Sequence, residues 1–138
     1  MFQTIDEQKA FCRQFNISEE RFREAALPWI ELESIAADYQ KRKDGHTATV
    51  KNYLEKIEQC EYVHSLSCRV KDTAHLIEKI IRKNPKYLQQ GKAITSSNYS
   101  VYINDLMGIR ALLLFKEDWL GVHEFLMGKF RDDLAEEL

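Results

Sequence analysis

The chain has 138 residues, enough for one compact domain, and its 44% hydrophobic and 30% charged content is that of a globular protein rather than a disordered one. Twenty Lys and Arg stand against 22 Asp and Glu, a net charge of −2, which excludes a wholly basic nucleic-acid clamp and leaves any attraction for a polyanion to a local patch. Cys12, Cys60 and Cys68 include no C-x-x-C pair, which argues against a disulfide framework or a zinc site and for a reducing cytoplasm. The start MFQTIDEQKAF lacks a basic segment followed by an apolar run, so no signal peptide is expected. No apolar run approaches the roughly 18 residues of a membrane helix, so no membrane partner is expected.

The first sixty residues read as helical. In NISEERFREAA, Asn16 or Ser18 can cap a helix whose first turn holds Glu19 and Glu20. Pro28 breaks or starts a helix. Trp29, Ile30, Leu32, Ile35, Ala36 and Tyr39 then form an apolar side, and QKRKDG is expected to close it at Gly45. Thr47 or Thr49 can cap a new helix, with Val50, Tyr53, Leu54 and Ile57 on one face. The period changes over residues 62–71, which read as a strand. Asp72 and Thr73 suit the cap and first turn of a helix through AHLIEKIIRK that is expected to end at Pro85. Residues 84–103 read as a loop, with room for a short strand. Ile109–Phe115 is nearly all apolar and predicts a strand covered on both faces. A last helix starts at Glu117 or Asp118 with Trp119, Val122, Leu126 and Phe130 inward, before the acidic RDDLAEEL. Trp29 and Trp119 read as core anchors. Two strands make a marginal sheet, which either helix packing rescues or further strands beyond Leu138 complete, the second being the favoured expectation.

The segment Cys68–Lys83 carries the chemistry. Alternation along a strand puts Arg69 and Lys71 on one face. A helical step of roughly 100° then separates Leu76, Ile77, Ile80 and Ile81 from a stripe of His75, Lys79 and Arg82, with Lys83 at its edge. Cations around a helix start, where free N–H groups and the helix dipole already favour an anion, suit a polyphosphate. The same pattern also fits a solvated basic face, with Glu78 paired to Arg82. Further on, Asp105 stands just before the apolar strand and could hold Mg²⁺. Gly108 allows a tight entry into that strand or a close backbone approach. Arg110, a charge in an apolar run, needs a carboxylate or a phosphate, or else pairs with Asp105 structurally. His46, His64 and His123 form no zinc pattern, and Tyr87, Tyr99 and Tyr102 offer packing or a ring for a base to stack on.

Taken together, RVKDTAHLIEKIIRK and DLMGIRALLLF resemble the synthetase domain of the RelA/SpoT family. Members carry R-x-K on a strand, a helix ending in a K-[IL]-x-[RK]-K-like run, and D-L-x-G-[IV]-R opening the next strand. The similarity covers residues 50–126. It implies an α/β (α+β) nucleotidyltransferase-like sheet flanked by helices, with a helical region over 1–45 and a partial synthetase domain over 46–138. The implied activity moves pyrophosphate from ATP to the ribose 3′-hydroxyl of GDP or GTP, making the (p)ppGpp of the bacterial stringent response, with Mg²⁺ as cofactor. By position, Arg69, Lys71 and Lys79 would contact the ATP phosphates or base, with His75 and Arg82 in the same phosphate-binding group. Asp105 would be the first metal carboxylate, and Arg110 would support the site. At His75 many members have serine, so His75 either donates to a phosphate or caps the helix at the surface. The family's later strand with the second metal carboxylate has no counterpart before Leu138, so an ATP-side half-site is expected. Three further readings stay open: a toxin-type relative acting on tRNA, a non-catalytic nucleotide- or partner-binding fragment, and a helical interaction domain. A homo-oligomer is compatible with all of them.

Overall fold

The computed structural model describes residues 1–133. It is α+β, 63% helical, with one two-stranded antiparallel sheet. In chain order the elements are α1 (Ile5–Gln14), α2 (Glu19–Ala25), α3 (Trp29–Ile57), β1 (Ser65–Val70), α4 (Thr73–Gln89), α5 (Tyr99–Tyr102), β2 (Met107–Leu112) and α6 (Trp119–Lys129). They form two compact units. The first joins Met1–His46 to Val70–Leu106, so the helical residues 1–45 share a unit with the basic helix. The second joins Thr47–Arg69 to the chain from Met107 onward.

In the first unit, Thr4 and Glu7 make a capping box at α1, and Ser18, not Asn16, caps α2 by accepting from the Arg21 N–H. Asn16 instead takes a left-handed backbone (φ 53°) in the turn between them. The α4 residues Leu76, Ile77, Ile80 and Ile81 are at most 2% exposed and pack with Leu32, Ile35 and Tyr39 of α3 and with Ile94, Tyr99 and Ile103. Trp29 packs against this core, stacked on Phe22 at 4.5 Å.

Three expectations fail here for identifiable reasons. Helix α3 does not stop at Gly45 but continues to Ile57; a lone glycine costs about 1 kcal/mol, which a long helix absorbs. Helix α4 runs through Pro85 to Gln89. The fully buried Asn84 anchors that turn: its amide donates to the Ala25 carbonyl at 2.6 Å and its Oδ1 accepts from the Ile94 N–H at 2.8 Å. The stop is Gly91, in the left-handed region at φ 69°, where the Gly91 and Lys92 N–H groups close back on the Leu88 and Tyr87 carbonyls. Residues 84–103 hold no strand; they contain the end of α4, a loop and the single turn α5.

In the second unit, the His64 N–H donates to the Leu112 carbonyl at 2.8 Å beside the β1–β2 ladder. The Tyr62 ring packs against α6 at Gly121, where a Cβ would meet it at 2.4 Å, so a larger residue there would force the ring to shift. Val50, Cys60 and Phe130 are its buried apolar residues among those described. The expectation of a strand covered on both faces is overturned. Arg110, Ala111 and Leu112 are exposed, and Leu114 and Phe115 are each 65% exposed. Trp119 is 53% exposed and is no core anchor: no residue of α6 is buried, and the buried aromatic is Phe130, which follows the helix as its C-cap. The acidic tail expected after Phe130 lies mostly outside the described residues. No helix among those described is long and apolar enough to cross a membrane.

Candidate functional site

Lys71 leaves the end of β1, and Asp72 turns the chain into α4 by accepting from the Ala74 and His75 N–H groups. Two turns along α4, Lys79 comes back to the same place. Between α5 and β2, Asp105 reaches both ammonium groups: Lys71 Nζ lies 3.0 Å from Oδ2 and Lys79 Nζ lies 2.6 Å from Oδ1. The second contact is close but poorly angled for a hydrogen bond, so it is an ion contact first. The lysine side chains are only 12% and 17% exposed, against 44% for the aspartate. Burial alone would raise the Asp105 carboxyl, but Lys79 and Lys71 outweigh it and hold the group down at about 2.

The charge balance of this cluster is uneven. Two largely buried cations share one carboxylate, and neither has a second ion-pair partner among the described residues. Buried charge is costly unless paired, so an arriving anion is favoured. Each ammonium carries three N–H donors, more than its ion contact with Asp105 can use.

His75 and Arg82 stand outside this convergence. His75 is exposed, its Nδ1 3.2 Å from the Asp72 carboxylate and its ring edge-on to Phe15. The helix cap is Asp72, and the His75 ring contacts that capping carboxylate. Burial opposes ionisation of Asp72, but its bonds to His75 prevail and lower the carboxyl below its ordinary value. Arg82 pairs along its own helix with Glu78 at 3.1 Å.

Arg69 and Arg110 belong to the second unit. They line one small cleft on the β-pair with Ser67, Cys68, Gly108 and Ile109. Both are exposed, and neither has an ion-pair partner among the described residues. Arg110 is therefore solvated and does not need a buried partner. The Arg69 stem runs past Gly108 at 3.8 Å from where a Cβ would lie, an ordinary contact, so Gly108 is not required by a tight turn.

Sequence reasoning counted Tyr39 as one more apolar residue and missed its tip. The Tyr39 hydroxyl donates to the Lys71 carbonyl at 2.6 Å. Tyr99 likewise donates to Asp38 at 2.6 Å, and Asp38 pairs with Arg42. The signal available was a tyrosine on a buried helix face, because a buried phenol needs a hydrogen-bond partner.

For Mg²⁺, the fit is conditional. Asp105 is a hard oxygen ligand of the kind Mg²⁺ takes beside substrate phosphates, yet two ammonium groups within 3.0 Å repel a bare dication. The described residues hold no group of three or more His, Cys, Asp or Glu placed for a metal. The cluster thus suits a cation that arrives with its phosphates. Comparison of the chain with family models, with curated proteins and with solved structures finds no match in any of the three.

Proposed function

We propose that the first unit holds the donor side of a nucleotide pyrophosphotransferase site of the RelA/SpoT kind, binding the ATP polyphosphate through Lys71 and Lys79. The observation that supports this reading is the pair of sheltered lysines on a single carboxylate, an excess of positive charge waiting for an anion. In the reaction, the 3′-hydroxyl oxygen of GDP or GTP bonds to the β-phosphorus of ATP. The bond from that phosphorus to the α,β-bridging oxygen breaks, AMP leaves, and the hydroxyl proton passes to solvent or a base. Mg²⁺ held by Asp105 and the phosphates would neutralise phosphate charge. What the chain itself contributes is position and charge: the lysines orient the triphosphate, and Asp105 keeps the two cations together until it arrives. ATP and guanine nucleotides place such a reaction in the cytoplasm.

A second reading, nucleotide binding without transfer, draws support from the same contacts, since both Asp105 oxygens are engaged by lysines. Calorimetry with α,β-methylene ATP and Mg²⁺ tests the binding that both share. The expected result is binding by the native chain and a loss of about tenfold or more in Lys79→Ala, with the circular dichroism unchanged. A folded native chain that ignores the analogue would refute both. Release of AMP from ATP in the presence of GDP, GTP or uncharged tRNA then separates transfer from binding and names the acceptor. The roles that the resemblance gives Arg69 and Arg110 are open to the same assay through their alanine variants.

A further inference from the structure

Lys71 is fixed by its backbone as well as by its side chain. Its N–H donates to the Leu106 carbonyl at 2.7 Å, one residue from Asp105, and its own carbonyl accepts from the Tyr39 hydroxyl at 2.6 Å. Tyr39 is fully buried and lies 32 positions earlier in the chain, on α3. Its ring is clamped edge-on by Tyr99 at 6.5 Å and tilted against His46 at 5.8 Å. A clamped phenol is a rigid post, so the carbonyl it holds, and the side chain that departs from the same residue, has little freedom.

We propose that Tyr39 is a positioning residue for phosphate binding: its hydroxyl sets the backbone of Lys71 and so aims the ammonium group at Asp105 and the incoming polyphosphate. This rests on the donor-site reading above and extends it, because it makes α3 part of the site. The reasoning is geometric. Lys has a flexible four-carbon stem, so its ammonium is as well placed as its Cα and no better. Two short bonds, one on each side of that Cα, remove the backbone freedom that would otherwise spread the charge over several positions.

The test is a double-mutant cycle read by α,β-methylene ATP and Mg²⁺ in the calorimeter. Tyr39→Phe keeps the ring and deletes the bond, and is expected to weaken binding roughly five- to tenfold. In the Lys71→Ala background the same change should do nothing further, because no ammonium is left to aim. Tyr99→Phe, which removes an equally buried phenol bond that ends on Asp38 instead, should lower the melting temperature and leave affinity unchanged. If Lys71→Ala weakens binding and Tyr39→Phe does not, or if Tyr39→Phe acts equally in both backgrounds, the positioning role is refuted while the donor site stands. If the native chain binds no analogue, the donor site itself fails and the positioning role with it. Should Tyr39→Phe not fold, the ¹³C signal of the Lys71 carbonyl in the native chain decides the matter. It should move on addition of the analogue if the Tyr39 bond belongs to the site, and a signal that stays still overturns the proposal.

Discussion

The two units solve the same problem with unequal means. The first buries a continuous set of Ile, Leu and aromatic side chains and gives three of its sheltered polar side chains specific partners: Asn84 between Ala25 and Ile94, Tyr99 on Asp38, Tyr39 on Lys71. The second buries Val50, Cys60 and Phe130 among its described residues and leaves Leu112, Leu114, Phe115, Trp119 and Leu120 more than half exposed. A half-buried two-stranded sheet with so much open apolar surface is marginal. The lesson is that apolar sequence alone does not make a core. What the first unit adds is a helix face with a matching stripe and polar anchors that fix its register.

The sharpest way to break this contrast is to cut one apolar side chain from each unit. Ile80→Ala should cost about 3 kcal/mol, lost transfer energy plus a cavity in a site that is fully buried. Leu114→Ser should change stability by no more than about 0.5 kcal/mol, its side chain being already in water. Urea unfolding followed by circular dichroism reads both, and amide exchange assigns each loss to its unit. A Leu114→Ser loss as large as that of Ile80→Ala would mean that the segment after β2 is covered in solution, and the difference between the units would vanish.

A smaller effect tests the polar anchors. Asn84→Ala strands the Ala25 carbonyl and the Ile94 N–H inside the first unit, at about 2 to 3 kcal/mol for two unsatisfied buried groups. It should also fray the last turns of α4, where Pro85 has already removed a helical bond. Retained stability together with unchanged exchange protection beyond Pro85 would show that the helix survives the proline without Asn84.

These anchors mark where sequence reading ran short. The apolar stripe of α4 was legible because Leu76, Ile77, Ile80 and Ile81 repeat at helical spacing, and Asp72 declared the helix start by its residue type. Lys71, Lys79 and Asp105 could be singled out by charge and motif, although their meeting at one point depends on tertiary geometry that no spacing encodes. Asn84, Tyr39 and Gly91 were missed for a common reason. Each acts through one bond or one backbone angle rather than through a period. Beside Pro85, Asn84 looks like a loop residue. Within an apolar face, Tyr39 looks like packing. In the second unit the error ran the other way: Ile109–Phe115 has the composition of a buried strand, but composition does not supply the neighbours that would bury it.

The least of these effects comes from acid. Burial would raise the Asp105 carboxyl above its ordinary value of 3.8, but Lys79 and Lys71 overcome that and bring it to about 2. A carboxyl depressed in the folded chain stabilises the fold fully above its unfolded value, and that contribution is lost as pH falls through the folded value. The window is therefore pH 4 down to about 2, and only the first unit should feel it through Asp105. Solvent screening of a side chain that is 44% exposed limits the loss to about 1 kcal/mol. Asp105→Asn cannot titrate, so its stability should fall less steeply over that window than that of the native chain. Some slope should persist, because Asp72 is also depressed by its bonds to His75. Exchange protection in α4 measured from pH 5 to 2.5 for both proteins gives the comparison. Parallel profiles would mean that the two lysines do not hold Asp105 in solution; a shallower one for Asp105→Asn, confined to the first unit, would show that the lysine pair is held there by charge.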